Sequence, residues 1–120
     1  MPRRIRVRRV YDEPGPADGA RVLVDRMWPR GLRKDEAALD EWVKEVAPST
    51  ELRTWFGHDP DKFEQFRSRY RDELATPARR TALEHLRTLS EDSSLTLLTA
   101  TRDVARSNAA VLAEVLRDAP

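Results

Sequence analysis

Residues 4–10 alternate Arg4, Arg6 and Arg8 with Ile5 and Val7, the period of two of a strand with one buried and one wet face. The pattern predicts an edge strand. The segment 13–19, with Pro14, Gly15, Pro16 and Gly19, is dense in residues that fix or release φ and reads as a loop. Arg21-Val22-Leu23-Val24-Asp25 is then a short apolar run, as in a strand covered on both faces. Pro29 and Gly31 end it in a turn.

Helical spacing takes over beyond that turn. Leu39, Trp42, Val43 and Val46 fall at i, i+3, i+4 and i+7 and predict an amphipathic helix of about three turns. Ser49 is placed to cap a short helix with Leu52, Trp55 and Phe56 on one face, stopped at Gly57. Asp59-Pro60 and Thr76-Pro77 are each a cap residue followed by a first-turn proline. Phe63, Phe66, Tyr70 and Leu74 repeat beyond the first, and Ala82, Leu83, Leu86 and Leu89 beyond the second. Leu95-Thr96-Leu97-Leu98-Thr99 is a third, central strand, followed by a helix from about Val104 to Leu116 with Asp103 as its cap. Four helices are thus expected between the second strand and the third.

The connection between the first two strands looks too short for a parallel crossover, whereas the long helical one that follows permits a right-handed parallel pairing. The expected fold is α/β: a small mixed, largely parallel sheet flanked by helices, one three-layer-like domain over residues 1–120. At this length a chain buries enough surface for one core without staples.

Composition narrows the chemistry. The 120 residues include no cysteine, which removes thiol nucleophiles, disulfides and thiolate metal sites and suits a reducing, cytoplasmic setting. No apolar run approaches the ~20 residues that span a bilayer, and the basic start at Arg3-Arg4 lacks the apolar stretch of a signal peptide. Net charge is +1, so the molecule as a whole is no polyanion binder. Its distribution is uneven: residues 1–34 hold ten basic and four acidic side chains, and residues 35–66 hold three and nine.

In open α/β sheets ligands collect beyond the carboxyl ends of parallel strands. Two loops qualify, Asp25-Arg26-Met27-Trp28-Pro29-Arg30-Gly31 and Thr99-Ala100-Thr101-Arg102-Asp103. Together with the segments 22–31, 47–60 (Ala47-Pro48-Ser49-Thr50 through His58-Asp59-Pro60) and 97–103, they make the chain resemble the YeaO-like family of bacterial proteins, domain of unknown function 488. The resemblance covers nearly the whole chain and implies an α/β fold with no established activity. Some longer relatives carry a cysteine after the third strand and a cysteine–histidine pair soon after. Thr99, Ser107 and Asn108 stand at the matching positions, so the resemblance implies that any such thiol function is lost.

From the residues themselves, Arg26, Arg30 and Arg102 are fixed cations whose planar forks suit carboxylate or phosphate. Trp28 and Trp55 offer flat faces, Thr101 a hydroxyl, and the last helix a ring of backbone donors. These residues outline an anion pocket. The alternative is structural: Asp25 paired with an arginine, Asp103 as cap, the tryptophans as packing. His58-Asp59 has the composition of a base held by an acid, although Asp59 is already explained as a cap. Asp25, His58 and Asp103 are thus the candidate proton carriers. Asn108 lies on the apolar stripe of the last helix and either ties that helix to the second strand's loop or reaches the crevice. His85 reads as surface. No cofactor is expected and no zinc site, while magnesium held by Asp25 or Asp103 through substrate phosphates stays open.

Three functions compete. The first is a small-molecule protein binding a compact anion in the crevice, with or without catalysis. The second is a nucleic-acid module using the row Arg3, Arg4, Arg6, Arg8, Arg9, a row that equally protects an edge strand from aggregation. The third is a non-catalytic interaction or homodimer domain meeting its partner through Trp42, Trp55 and the acidic helices.

Overall fold

The computed structural model describes residues 4–118, so Arg3 of the basic row lies outside the described residues. Strands β1 (Ile5–Arg9), β2 (Ala20–Leu23), β3 (Glu41–Trp42) and β4 (Leu95–Thr99) alternate with α1 (Thr50–Phe56), α2 (Phe63–Leu74), α3 (Pro77–Asp92) and α4 (Asn108–Asp118). Single 3-10 turns lie at Lys44–Val46, Pro60–Lys62 and Val104–Arg106. The sheet runs β1-β4-β2-β3 and every pairing in it is parallel. The edge position of β1 and the interior, adjacent positions of β2 and β4 agree with their burial patterns.

The connection judged too short for a parallel crossover is one. β1 and β2 both run parallel to β4, which slots between them, so residues 10–19 return the chain over one strand without a helix. Ten extended residues reach ~33 Å, enough to recross a short strand and step two strand spacings sideways. This loop is held tightly. Gly19 sits at φ 62°, where a Cβ would run into the Ser94 carbonyl oxygen, and the neighbouring Ala20 N–H donates to that oxygen at 2.9 Å. The Thr96 hydroxyl donates to the Asp18 carbonyl at 2.7 Å.

The alternation of side chains across the sheet separates two cores. Ile5, Val22, Val24, Leu95 and Leu97 face a layer made from all four α-helices, where Phe56, Phe66, Tyr70, Leu86 and Leu112 pack. Val10, Leu23 and Leu98 face the other way, against Trp28, Leu32, Leu39 and Trp42. The third layer is therefore irregular chain from residues 26–40, not a helix. That explains the helix expected over Leu39 to Val46: Leu39 and Trp42 belong to the loop-covered core and Val43 and Val46 to the helical one. A short strand at the sheet edge satisfies the same spacing, with the Val43 N–H donating to the Leu23 carbonyl at 2.9 Å. Three α-helices, not four, separate β2 from β4.

Cap chemistry mostly falls where expected. Ser49 Oγ accepts from the Leu52 N–H at 3.1 Å, Gly57 closes α1 in the left-handed region, and Asp59 accepts from Asp61 N. Two caps differ. The Thr76 hydroxyl donates backward to the Glu73 carbonyl instead of capping α3. The last helix starts later than expected, at Asn108, because Ser107 Oγ accepts from the Ala110 N–H while Asp103 pairs with Arg106 across the preceding 3-10 turn. At the outer edge of β1, the Arg9 N–H donates to the Asp12 carboxylate and the Ile5 carbonyl accepts from Arg117.

The basic row of β1 is folded into the structure. Arg6 and Arg8 form ion pairs with Asp18, and Arg9 donates to the Ala100 carbonyl. Asp18 and Arg21, 1% and 5% exposed, form a buried pair. The Arg21 guanidinium also donates to the carbonyls of Ala38 at 2.6 Å and Asp12 at 3.1 Å. Removing one member of such a pair strands the other, so Arg21→Met should cost about 3–5 kcal/mol in urea unfolding. The Gly15 N–H and then Arg21 hold the Asp18 carboxyl below its ordinary value of 3.8, against the upward push of burial. A depressed folded-state pKa contributes stability that is complete above 3.8 and lost as pH falls below it. Wild type should lose that increment on acid titration, and Asp18→Asn should lack this pH dependence.

Candidate functional site

Because β2 and β4 are parallel neighbours, the loops leaving their carboxyl ends share one rim. A cavity of about 460 Å³ opens there. Asp25, Arg26, Trp28, Arg30, Arg53, His58, Thr101 and Asn108 line it, with Pro29, Pro48, Phe56 and Phe66 as its apolar wall.

Asp25 follows the end of β2 and turns back across to β4. Its Oδ1 and Oδ2 lie 2.9 and 3.1 Å from the Thr99 hydroxyl, which donates to them, and Oδ2 also accepts the Ala100 N–H at 2.8 Å. Thr99 Oγ1 is itself oriented by the Thr101 N–H at 3.1 Å. The carboxylate is thus clamped by the neighbouring strand and not by an arginine ion pair. Burial pushes the Asp25 carboxyl up, opposed by the Ala100 and Thr99 hydrogen bonds and by the positive fields of His58 and Arg53.

Two indoles fix the wall loop. Trp28 donates to the Leu32 carbonyl at 2.7 Å and Trp42 to the Asp25 carbonyl at 2.7 Å, and the two rings meet edge to face at 5.4 Å. On the helical side, Glu73 of α2 accepts from both the backbone N–H and the hydroxyl of Ser49, which fixes the start of α1 and so the position of Arg53. Asn108 Nδ2 donates to the Val24 carbonyl at 3.1 Å, the tie to the second strand expected from its place on the apolar stripe. It does so from the cavity lining, so both alternatives hold. Burial raises the Tyr70 hydroxyl far above its ordinary pKa, against a hydrogen bond from Asn108, and that hydroxyl donates to the Val46 carbonyl at 2.6 Å.

Seven residues singled out in the sequence meet here: Asp25, Arg26, Trp28, Arg30, His58, Thr101 and Asn108. Three do not. Trp55 faces away, with Arg69 4.2 Å and Lys62 5.2 Å from its ring centre. Arg102 is exposed outside the cavity lining. Asp103 pairs with Arg106 on the surface, so it shares no site with Asp25, and among the described residues no three His, Asp or Glu side chains group for a metal. Nor are His58 and Asp59 a dyad: Asp59 is turned to its capping role, while His58, held at φ 57° after Gly57, acts on Asp25. His85 is on the surface as expected, but it has a partner, Glu41 Oε1 at 2.8 Å.

Two residues were missed. In the sequence Thr99 reads as the end of a strand and the first residue of the second loop, with no role of its own in the site. Arg53 was hidden in a helix, although its place three residues before Phe56 puts it on that residue's side. Its Nη2 donates to Thr50 Oγ1 at 3.3 Å, while its buried Nε has no acceptor among the described residues.

Chemically the cavity is a cationic rim over a clamped carboxylate. Thr99 Oγ1, the hydroxyl nearest Asp25, is buried and already engaged as donor and acceptor.

Comparison with known proteins identifies a family and adds no activity. An uncharacterized protein of Mycobacterium tuberculosis is 55% identical over 113 residues, covering 94% of this chain and 93% of that one. The uncharacterized protein YeaO of Escherichia coli is 42% identical over 113 residues, 94% of this chain and 96% of its own. No solved structure matches. With the match to the family described as the inactive DUF488-N3 subclade running over residues 4–120, the chain belongs to the YeaO-like DUF488 family.

Proposed function

We propose that this chain is a binding protein for a small organic anion seated in the crevice at the carboxyl ends of β2 and β4. The observation that supports it most directly is Arg53, whose buried Nε points no hydrogen bond at any described acceptor while the residue lines the cavity. The Arg53 guanidinium also has no carboxylate partner among the described residues, and an anion in the crevice would supply its charge with one. Arg26 and Arg30 add charge at the rim, and Phe56, Phe66 and Pro29 favour a ligand with an apolar part.

Binding without turnover fits the residues. There is no cysteine, and Thr99, Ser107 and Asn108, the positions at which the family resemblance implies cysteine and histidine in some longer relatives, serve as clamp, helix cap and tie. The word inactive in the description of the matching family points the same way. The competing readings gain less support. Arg6 and Arg8 are committed to Asp18, and Trp42 and Trp55 are engaged within the chain.

Titration with inorganic phosphate and with 3-phenylpropionate, followed by thermal shift, tests the reading. Charge-assisted hydrogen bonds are worth about 1.5–3 kcal/mol, so Arg53→Gln should weaken binding of whichever probe binds by roughly 10- to 100-fold. Arg30→Ala should weaken it too, with the urea midpoint nearly unchanged because the Arg30 side chain is exposed. Undiminished binding in both variants would place the anion elsewhere. Thr99→Val removes a hydrogen bond that holds the Asp25 carboxyl down, so a carboxyl carbon NMR titration should show the Asp25 pKa moving further up; an unchanged value would show that the clamp does not set it.

A further inference from the structure

The crevice is not uniformly cationic, and its one acidic group is placed for a purpose that an anion alone does not use. Asp25 Oδ2 accepts two hydrogen bonds, from Ala100 N and Thr99 Oγ1, whereas Oδ1 accepts only the one from Thr99. A carboxylate oxygen has two acceptor positions, so Oδ1 keeps one. Asn108 lines the same cavity. Its Nδ2 donates to the Val24 carbonyl, and its amide oxygen, an acceptor, takes no hydrogen bond among the described residues.

Arg53 stands close enough for its charge to act on Asp25, yet among the described residues no ion pair joins the two. Acid and base therefore face the same cavity without neutralising each other. Two acceptors and a guanidinium that has no carboxylate partner among the described residues, all on one cavity, are complementary to a group that brings donors and negative charge together.

Resting on the anion-binding reading above, we infer that the ligand is a zwitterion of the α-amino-acid type, its ammonium seated on Asp25 Oδ1 and the Asn108 amide oxygen and its carboxylate on Arg53. The three hydrogens of a primary ammonium suit this pair of acceptors better than a single hydroxyl does. Arg26 and Arg30 lie further out on the rim, and the ligand's side chain has the Phe56, Phe66 and Pro29 wall to pack against. A cavity of about 460 Å³ falls within the usual span of small-molecule sites, roughly 300–1,000 Å³.

The test compares matched ligands on the unmodified full chain. Thermal shift and calorimetric titration would be run with each standard amino acid at millimolar concentration, then with the desamino acid of any that binds, as 3-phenylpropionate is for phenylalanine. Inorganic phosphate serves as the plain anion. The expected result is saturable binding of an amino acid with its desamino counterpart at least 10-fold weaker. Equal binding of the two acids, or binding of phosphate with no amino acid, overturns the zwitterion while leaving the anion site standing; silence from every probe brings down both. Asp25→Asn should weaken the amino acid relative to the desamino acid, whereas Arg53→Gln should weaken both. Because Asp25 also holds Thr99 and Ala100, the comparison of matched ligands on wild type is the deciding measurement, whatever the stability of Asp25→Asn.

Discussion

A parallel sheet whose first crossover has no helix needs some other way to fix that crossover, and in this chain it is the buried pair of Asp18 and Arg21. One guanidinium reaches the loop before it through the Asp12 carbonyl and the chain after it through the Ala38 carbonyl. The carboxylate partner gathers Arg6 and Arg8 from the edge strand. Successive segments of the first third of the chain, from Arg6 to Ala38, are thus held to the face of the sheet that no helix covers. Hydrophobic burial could not do this alone, because that part of the face presents Thr96 and arginines where the opposite face presents leucine and valine. A paired and fully hydrogen-bonded ion pair is the kind of buried charge that interiors tolerate.

The rest of the architecture follows from that division of labour. With one face closed by helices and the other by irregular chain, the carboxyl ends of β2 and β4 are left between a wall loop and the start of α4. The wall loop has little secondary structure and is instead pinned by two indole N–H groups that donate to its own carbonyls. The rigid side of the crevice comes from α1 and α2, joined through Ser49 and Glu73. Asp25 and Arg53 thus stand on well-anchored chain, the condition for binding without large rearrangement, while Arg26 and Arg30 are exposed on the wall loop.

Much of this was legible in the sequence, and the exceptions share a cause. The edge position of β1, the interior position of β2 and β4, and their shared rim follow from the apolar runs and the long helical connection between them. The capping roles of Ser49 and Asp59 and the stop at Gly57 are local chemistry and were readable as such. The helix expected at Leu39 to Val46 failed because a period near 3.6 also arises when a short strand sends alternate side chains to two different cores. The parallel crossover was missed because the connection looked too short, although ten extended residues span it, and the carbonyls that hold Arg21 of β2 come from segments whose placement the sequence does not display. Within the site, the clustered positions after β2 were found from topology, whereas Thr99 and Arg53 act through partners distant in sequence. Trp55, Arg102 and Asp103 were drawn in by residue type and lie outside because side-chain direction, not proximity along the chain, decides membership.

The wall loop has two roles at once. Its residues 26–30 bound the crevice, while Trp28, Leu32 and, further on, Leu39 close the second core over Leu23 and Leu98. Any molecule held in the crevice would therefore bear on the loop-covered core through the same short segment, Trp28 above all, which belongs to both. The half of the molecule without helices is thus the half whose solidity such an occupant would report.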